Sequence, residues 1–220
     1  MKNPSLGSSL LSIPIFELKS KVQDLYNAHI DFFHIDIMDG NFVPNLSITP
    51  SLYGEIFELL PQIDFDLHFM VTELGLKNIL PTFLTYPPQY VTIHLEAIED
   101  WAWVRMEVKS CGAKFGLAIN PKSSVTLLEE YLPNIDLVLL MSVEPGYGGQ
   151  RFIEDTYKKI EFLDKIRRGK NLSFLIEVDG GINLDISKKL KELGTDLIVI
   201  GSDLIRDIDF ESYVLKFNLT

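Results

Sequence analysis

The strongest constraint on this chain is an alternation that runs along nearly its whole length, short β-type runs separated by stretches of helical periodicity. The sequence predicts strands at Ser8–Leu11, Phe32–Ile37, Phe65–Val71, Tyr90–Leu95, Ala113–Ile119, Leu137–Ser142, Ser173–Val178 and Leu197–Ile200. Between them the apolar spacing turns helical. Pro50–Leu60 aligns Leu52, Ile56, Leu59 and Leu60 on one face, with Thr49 as N-cap. Leu184–Leu193 is bracketed by Asn183 and Gly194. Eight strand–helix units in 220 residues leave about 27 residues for each, close to the minimum for a strand, a crossover helix and their loops. No stretch rich in Gly, Ser or Pro divides the chain, so residues 1–220 read as one domain on a parallel sheet.

The strand faces decide whether that sheet is open or closed. Strands covered by helices on both sides read as continuous apolar runs. Here one face is apolar and the other mixed. In "DFFHIDIMDG", Phe33, Ile35 and Ile37 alternate with Phe32, His34, Asp36 and Met38. Asp66, His68 and Met70 alternate with Leu67, Phe69 and Val71; Thr92, His94 and Glu96 with Ile93 and Leu95; Glu177 and Asp179 with Ile176 and Val178. One face then meets helices and the other a lumen with polar groups at its mouth. That pattern predicts a (β/α)8 TIM barrel.

Composition narrows the partners. The formal charge of −11 leaves no basic surface for nucleic acid or an anionic membrane. The short basic cluster from Lys165 to Lys170 reads as a solvated helix end. No apolar run is long enough to span a bilayer, and "MKNPSLGSSLLSIPIF" lacks the features of a signal peptide. The lone Cys111 forms no internal disulfide, and the cytoplasm is the expected compartment. Anions are not excluded as ligands, because backbone N–H groups bind phosphate without net positive charge.

In such a barrel the site lies at the C-terminal ends of the strands. The sequence puts His34 and Asp36 there on the second strand, His68 on the third, His94 and Glu96 on the fourth, and Asp179 on the seventh. Imidazoles and carboxylates converging at one mouth suit a divalent metal such as zinc, iron(II), manganese or cobalt. The plainer alternative is hydrogen-bonded core histidines with carboxylates that cap helices. Glycine-bearing turns follow the sixth, seventh and eighth strands, in "VEPGYGGQRF", "VDGGIN" and "VIGSD". On one side of a barrel they favour a phosphorylated ligand. Met38, Met70 and Met141 also project toward the mouth, as core filling or as an apolar wall that excludes water.

Together "HIDIMDGNFVPN", "HFMV", "HLEA", "MSVEPGYGGQRF", "EVDGGIN" and "IGSD" resemble the ribulose-phosphate 3-epimerase family, in consistent order from Ser9 to about Ser202. The resemblance implies a barrel of the ribulose-phosphate-binding type. It implies interconversion of D-ribulose 5-phosphate and D-xylulose 5-phosphate through an enediolate, in the pentose phosphate pathway. It implies one divalent metal ion held by His34, Asp36, His68 and Asp179, with Asp36 and Asp179 as the two acid/base groups. Ser9, His68, Gly146, Tyr147, Gly148, Gly149, Asp179, Gly180, Gly181, Gly201 and Ser202 are the implied contacts to sugar or phosphate. Homo-oligomers are common among such proteins.

The chain departs from the family pattern in places. Ile13 and Pro14 stand where a small polar segment with an acidic residue is usual, Tyr147 replaces a phenylalanine, and "LPTFLTYPPQY" carries three prolines. Asp203 replaces a small residue, which predicts added negative charge beside the phosphate loop. A six-carbon substrate such as D-allulose 6-phosphate competes with the pentulose, since the same metal and aspartates would serve. The reading from another class is a catalytically silent sugar-phosphate-binding barrel, and the intact set of His34, Asp36, His68 and Asp179 weighs against it.

Overall fold

In the computed structural model, which describes residues 3–219, parallel strands close into a barrel in chain order. The strands are β1 (Ser5–Ser9), β2 (Phe32–Met38), β3 (Asp64–Met70), β4 (Tyr90–His94), β5 (Lys114–Ile119), β6 (Leu137–Met141), β7 (Leu175–Asp179) and β8 (Leu197–Ile200). The expected barrel is therefore the one that forms. Residues paired across a parallel ladder share a face, so the register sorts inward from outward side chains. The pairs Ser9↔His34, His34↔Asp66, Asp36↔His68, Thr92↔Gly116, Leu139↔Glu177 and Met141↔Asp179 all lie on the inner face.

The alternate residues face the helices and are fully buried there, among them Phe33, Ile35, Leu67, Phe69, Ile93, Leu117, Val138, Ile176 and Ile198. The helical layer comprises α1 (Leu18–Asn27), α2 (Pro50–Leu59), α3 (Glu73–Phe83), α4 (Trp101–Ser110), α5 (Thr156–Gly169), α6 (Leu184–Glu192), α7 (Ser202–Ile205) and α8 (Phe210–Leu219). The N-caps follow the expected chemistry: Thr49 accepts from Leu52 N and Asn183 from Ile186 N. Beyond α6, Gly194 adopts φ +96°, a left-handed stop that a side chain would strain. Among the described residues no helix is long and apolar enough to cross a membrane.

Three expectations need correction. The first strand runs over Ser5–Ser9, three residues earlier than Ser8–Leu11, because its ladder with β8 begins at Ser5↔Leu197; Leu10–Ser12 is a 3-10 turn. The buried face of α2 carries Tyr53, Gly54 and Ile56, and Leu59 is left 37% exposed. No α-helix joins β5 to β6. Short 3-10 turns at Val125–Leu128 and Leu132–Asn134 make that connection, the second with Pro133 inside it.

The lumen is closed at its lower end by an apolar plug of Phe32, Tyr90, Leu137, Leu197 and Val199. Gly7 makes room for it: a Cβ there would sit 2.3 Å from the Phe32 ring. Gly7→Ala is therefore expected to lower stability by about 1–3 kcal/mol through overpacking. Gly169→Ala, where a Cβ meets nothing within 4 Å, serves as the matched control expected to lose nothing. Urea unfolding of the two variants checks this, and equal midpoints would remove the steric role of Gly7.

Candidate active site

Above the plug the inner face turns polar, and His34, Asp66, Thr92, His68, His94 and Glu177 are all fully buried. β2 and β3 supply the centre. His34 Nε2 lies 3.3 Å from His68 Nδ1 and 3.5 Å from Asp36 Oδ1, and His68 Nδ1 lies 3.2 Å from the same oxygen. With Asp179 from the end of β7, each of these side chains offers one ligand atom, all within 4.8 Å of one another. The outward nitrogens are already engaged: His34 Nδ1 lies 2.6 Å from Asp66 Oδ2, and His68 Nε2 lies 2.9 Å from His94 Nε2. Facing ring nitrogens rimmed by carboxylate oxygens fit a divalent cation with nitrogen and oxygen ligands.

Surrounding groups hold the two aspartates in place. Ser9 Oγ donates to Asp36 Oδ2 at 2.9 Å, and Ser47 Oγ donates to the Asp36 carbonyl at 2.6 Å. Ser142, just past β6, donates its backbone N–H to the Asp179 carbonyl at 2.8 Å and directs its hydroxyl at the carbonyls of Asp179 and Gly180.

The same surroundings drive their protonation apart. Burial alone would raise the pKa of Asp36, but His34 and His68 hold it well below the ordinary carboxylate range. Burial also dominates at Asp179; His34 pulls its pKa down, the charges of Asp36 and Asp66 push it up, and it settles at about 7. Burial would lower His34, yet Asp36 and Asp66 keep it well above its ordinary value. His68 is depressed to about 4, by burial first and also by the charges of His94 and His34. Two carboxyl groups pushed in opposite directions by their surroundings have the bias that an acid/base pair requires.

A pocket opens over this cluster, lined by Ser9, Asp36, Met70, Met141 and Asp179 together with the glycine-bearing loops. Met38 sits a layer behind, packed against Val43 and Met70. Gly146, Gly149, Gly180 and Gly181 all have positive φ, and a Cβ on Gly181 would lie 2.6 Å from the Phe152 backbone nitrogen. Asn45 Nδ2 donates to Gly146 O at 2.8 Å and Tyr147 OH donates to Pro44 O at 2.8 Å, which ties the loops after β2 and β6 together. Gly148, Gly149 and Ser202 continue into an adjoining hollow with Ser12 and Arg206. Asp203 does not line the hollow: its carboxylate accepts from the Tyr213 hydroxyl at 2.6 Å, and Arg206 lines the hollow instead.

Sequence reasoning assigned no role to Asp66, Glu177, Ser12 or Ser142. The alternation does put Asp66 and Glu177 on the inner face, and Ser142 falls within the quoted "MSVEPGYGGQRF", both usable signals; Ser12 lies in a turn with no distinguishing pattern.

A family model described as the ribulose-phosphate 3 epimerase family matches residues 5–205. The ribulose-phosphate 3-epimerase of Bacillus subtilis (strain 168) is 35% identical over 199 residues, covering 90% of this chain and 90% of the relative. The chloroplastic ribulose-5-phosphate-3-epimerase of Arabidopsis thaliana is 36% identical over 207 residues, 93% of this chain and 73% of the relative. Among solved structures, KGPDC from Streptococcus mutans superposes with a TM-score of 0.74 at 12% identity, over 99% of this chain and 96% of the other. The 3-hexulose-6-phosphate synthase of Salmonella typhimurium gives 0.72 at 18% identity, over 98% and 97%. The structural matches bear on the fold alone.

Glu177 yields a pH test. Both its oxygens lack a hydrogen-bond partner among the described residues, and burial with the Asp66 charge raises its pKa from 4.5 to about 8. Between those values the folded chain holds a proton that the unfolded chain has lost, so its contribution is complete below pH 4.5 and fades toward pH 8. Glu177→Gln has no such proton to lose. In metal-free protein its melting temperature should fall less between pH 5 and 8.5 than that of the wild type, by at least about 2 °C. Parallel melting profiles would show that Glu177 is not the group responsible.

Proposed function

The chain belongs to the ribulose-phosphate 3-epimerase family, and from that premise we propose that it inverts C3 of a ketopentose phosphate, interconverting D-ribulose 5-phosphate and D-xylulose 5-phosphate in the pentose phosphate pathway. The observation that carries the reading is the convergence of Asp36 and Asp179 with His34 and His68 beneath one pocket lined by the glycine-bearing loops.

Epimerisation next to a ketone requires loss of the C3 proton from one face and delivery of a proton to the other. Asp36, held anionic by the neighbouring imidazoles, takes the proton in one direction. Asp179 delivers its own to the opposite face of the enediolate. After each turnover Asp36 gives its proton to solvent and Asp179 regains one from solvent, which restores the starting state; in the reverse direction the two exchange roles. Ser9, donating to Asp36 Oδ2, keeps the other oxygen turned toward the cluster and the substrate. Met70 and Met141 line the walls and keep water from protonating the intermediate at random. The loops bearing Gly148, Gly149, Gly180, Gly181, Gly201 and Ser202 supply backbone amides for sugar and phosphate, with Arg206 at the outer edge. His34, Asp36, His68 and Asp179 would hold a divalent ion, which would supply Lewis-acid stabilisation of developing negative charge.

Turnover in deuterated water tests this. Wild-type protein should place deuterium at C3 with inversion, and Asp36→Asn and Asp179→Asn should each lose about 10²–10⁴-fold in rate. Undiminished turnover in both variants sinks the two-carboxylate mechanism, and a marked preference for D-allulose 6-phosphate in parallel kinetics overturns the pentulose assignment. Separately, treatment with a chelator should abolish activity, and adding back zinc, iron(II), manganese or cobalt one at a time should restore it. Full activity in exhaustively chelated protein would remove the metal from the account.

A further inference from the structure

His94 and Glu96 close β4 beside the site, yet the proposed chemistry leaves them without a task. Their geometry links them to His68. That ring stands between two partners, with Nδ1 3.2 Å from Asp36 Oδ1 and Nε2 2.9 Å from His94 Nε2. The far nitrogen of His94, Nδ1, lies 3.3 Å from Glu96 Oε2. Both rings are fully buried, so neither can exchange its partners for bulk water. The Phe42 ring covers His94 with centroids 4.9 Å apart.

Glu96 is itself tightly held. Its Oε1 accepts from Asn120 N at 2.8 Å and from the Ser123 hydroxyl. The loop that brings those donors is pinned by Lys159, whose Nζ donates to the carbonyls of Asn120, Pro121 and Ser123 at 3.2, 2.5 and 2.8 Å. Two donors on Oε1 hold the carboxylate in one orientation, with Oε2 turned to His94.

The hydrogens then follow in sequence. An ionised carboxylate only accepts, so the facing His94 Nδ1 carries hydrogen. A neutral imidazole has a single N–H, which leaves a lone pair on His94 Nε2. The 2.9 Å contact is then a hydrogen bond with His68 Nε2 as donor, and His68 Nδ1 is left as a lone pair facing Asp36 Oδ1 at 3.2 Å, two acceptors that a cation held by the cluster would satisfy. The reverse assignment sets a buried lone pair of His94 against the Glu96 carboxylate and points a hydrogen into the ligand cluster.

We propose that Glu96, acting through His94, holds His68 in the tautomer whose Nδ1 lone pair is available to a metal ion, so that both are positioning residues for metal capture. Asp66 does the same for His34 in a single step, at 2.6 Å from Nδ1. The proposal rests on the metal-binding reading of the cluster and adds to it the residues that tune affinity.

The test uses full-length protein stripped of metal, zinc alone as the probe, and competition with a chromophoric chelator. Glu96→Gln keeps the size of the side chain but offers His94 Nδ1 an amide donor, which reverses the hydrogen order. Zinc affinity should fall roughly ten-fold. His94→Phe keeps a ring under Phe42 but has no acceptor, and its zinc affinity should fall by a similar factor. In nitrogen-15 spectra of histidine-labelled, zinc-loaded protein, the wild type should show a hydrogen-bonded His68 Nε2–H that both variants shift or lose. Folded variants whose zinc affinity stays within about two-fold of wild type, with an unmoved His68 signal, overturn the proposal alone. Wild-type protein that binds no zinc overturns the metal reading together with it.

Discussion

The lumen depends on one register, the pairing of β2 with β3. The ladder runs without a break from Phe32↔Asp64 to Met38↔Met70 and sets Asp36 beside His68 and His34 beside Asp66. Side chains alternate along a strand, so a slip of one residue would turn the functional set of one strand against the helices. What resists that slip is the other face. Phe33, Ile35, Ile37, Phe65, Leu67 and Phe69 are each no more than 1% exposed. Burying side chains of this size contributes roughly 1.5–3 kcal/mol apiece. The polar groups contribute little of this, since burying them is costly before they find partners. Alignment of the site is thus enforced by residues that do no chemistry.

That enforcement lets the barrel hold more carboxylates than it can ionise. Asp36 is compensated by His34, His68 and Ser9, and the Asp66 carboxylate faces His34 Nδ1 with Thr92 behind it. Glu177 and Asp179, with less compensation, bear the cost of burial as retained protons. A cation captured by the four-residue cluster would compete with the proton on Asp179, so metal binding and proton release are linked there. Asp66 lies behind that cluster, away from solvent, and its charge, with that of Asp36, adds to burial in raising the pKa of Asp179. The apolar plug of Phe32, Tyr90, Leu137, Leu197 and Val199 closes the opposite end and keeps these charges from being screened.

The sequence carried the barrel because an inner face with His34, Asp36, Asp66, His68, Thr92, Glu177 and Asp179 leaves a periodic trace that no open sheet requires. It carried β1 poorly. "SLGSSLLS" is small and apolar in either frame, and only the ladder with β8, which begins at Ser5↔Leu197, selects one. Asp203 misled for a related reason: its partner Tyr213 lies on the next helix, and local sequence gives no hint that the carboxylate turns that way. The protonation of Glu177 and Asp179 was equally hidden, since it arises from charges on other strands. Local pattern records which way a side chain points; it does not record what another strand brings to meet it.

The irregular connection between β5 and β6 belongs to the same reasoning. A regular crossover helix beginning soon after β5 would commit the first carbonyls of that segment to its own hydrogen-bond ladder. Here the chain instead passes through Asn120 to Ser124 as a loop before its first 3-10 turn. The loop carbonyls are thereby free to receive Lys159 from α5, and the loop so pinned presents the Asn120 amide and the Ser123 hydroxyl to Glu96. Pro121 cannot donate and so takes no amide away from this arrangement. The missing helix costs the outer layer some apolar cover and gives β4 a fixed carboxylate behind its terminal histidine. The orientation of His68, on β3, is in this way supported from a loop two strands further along the chain.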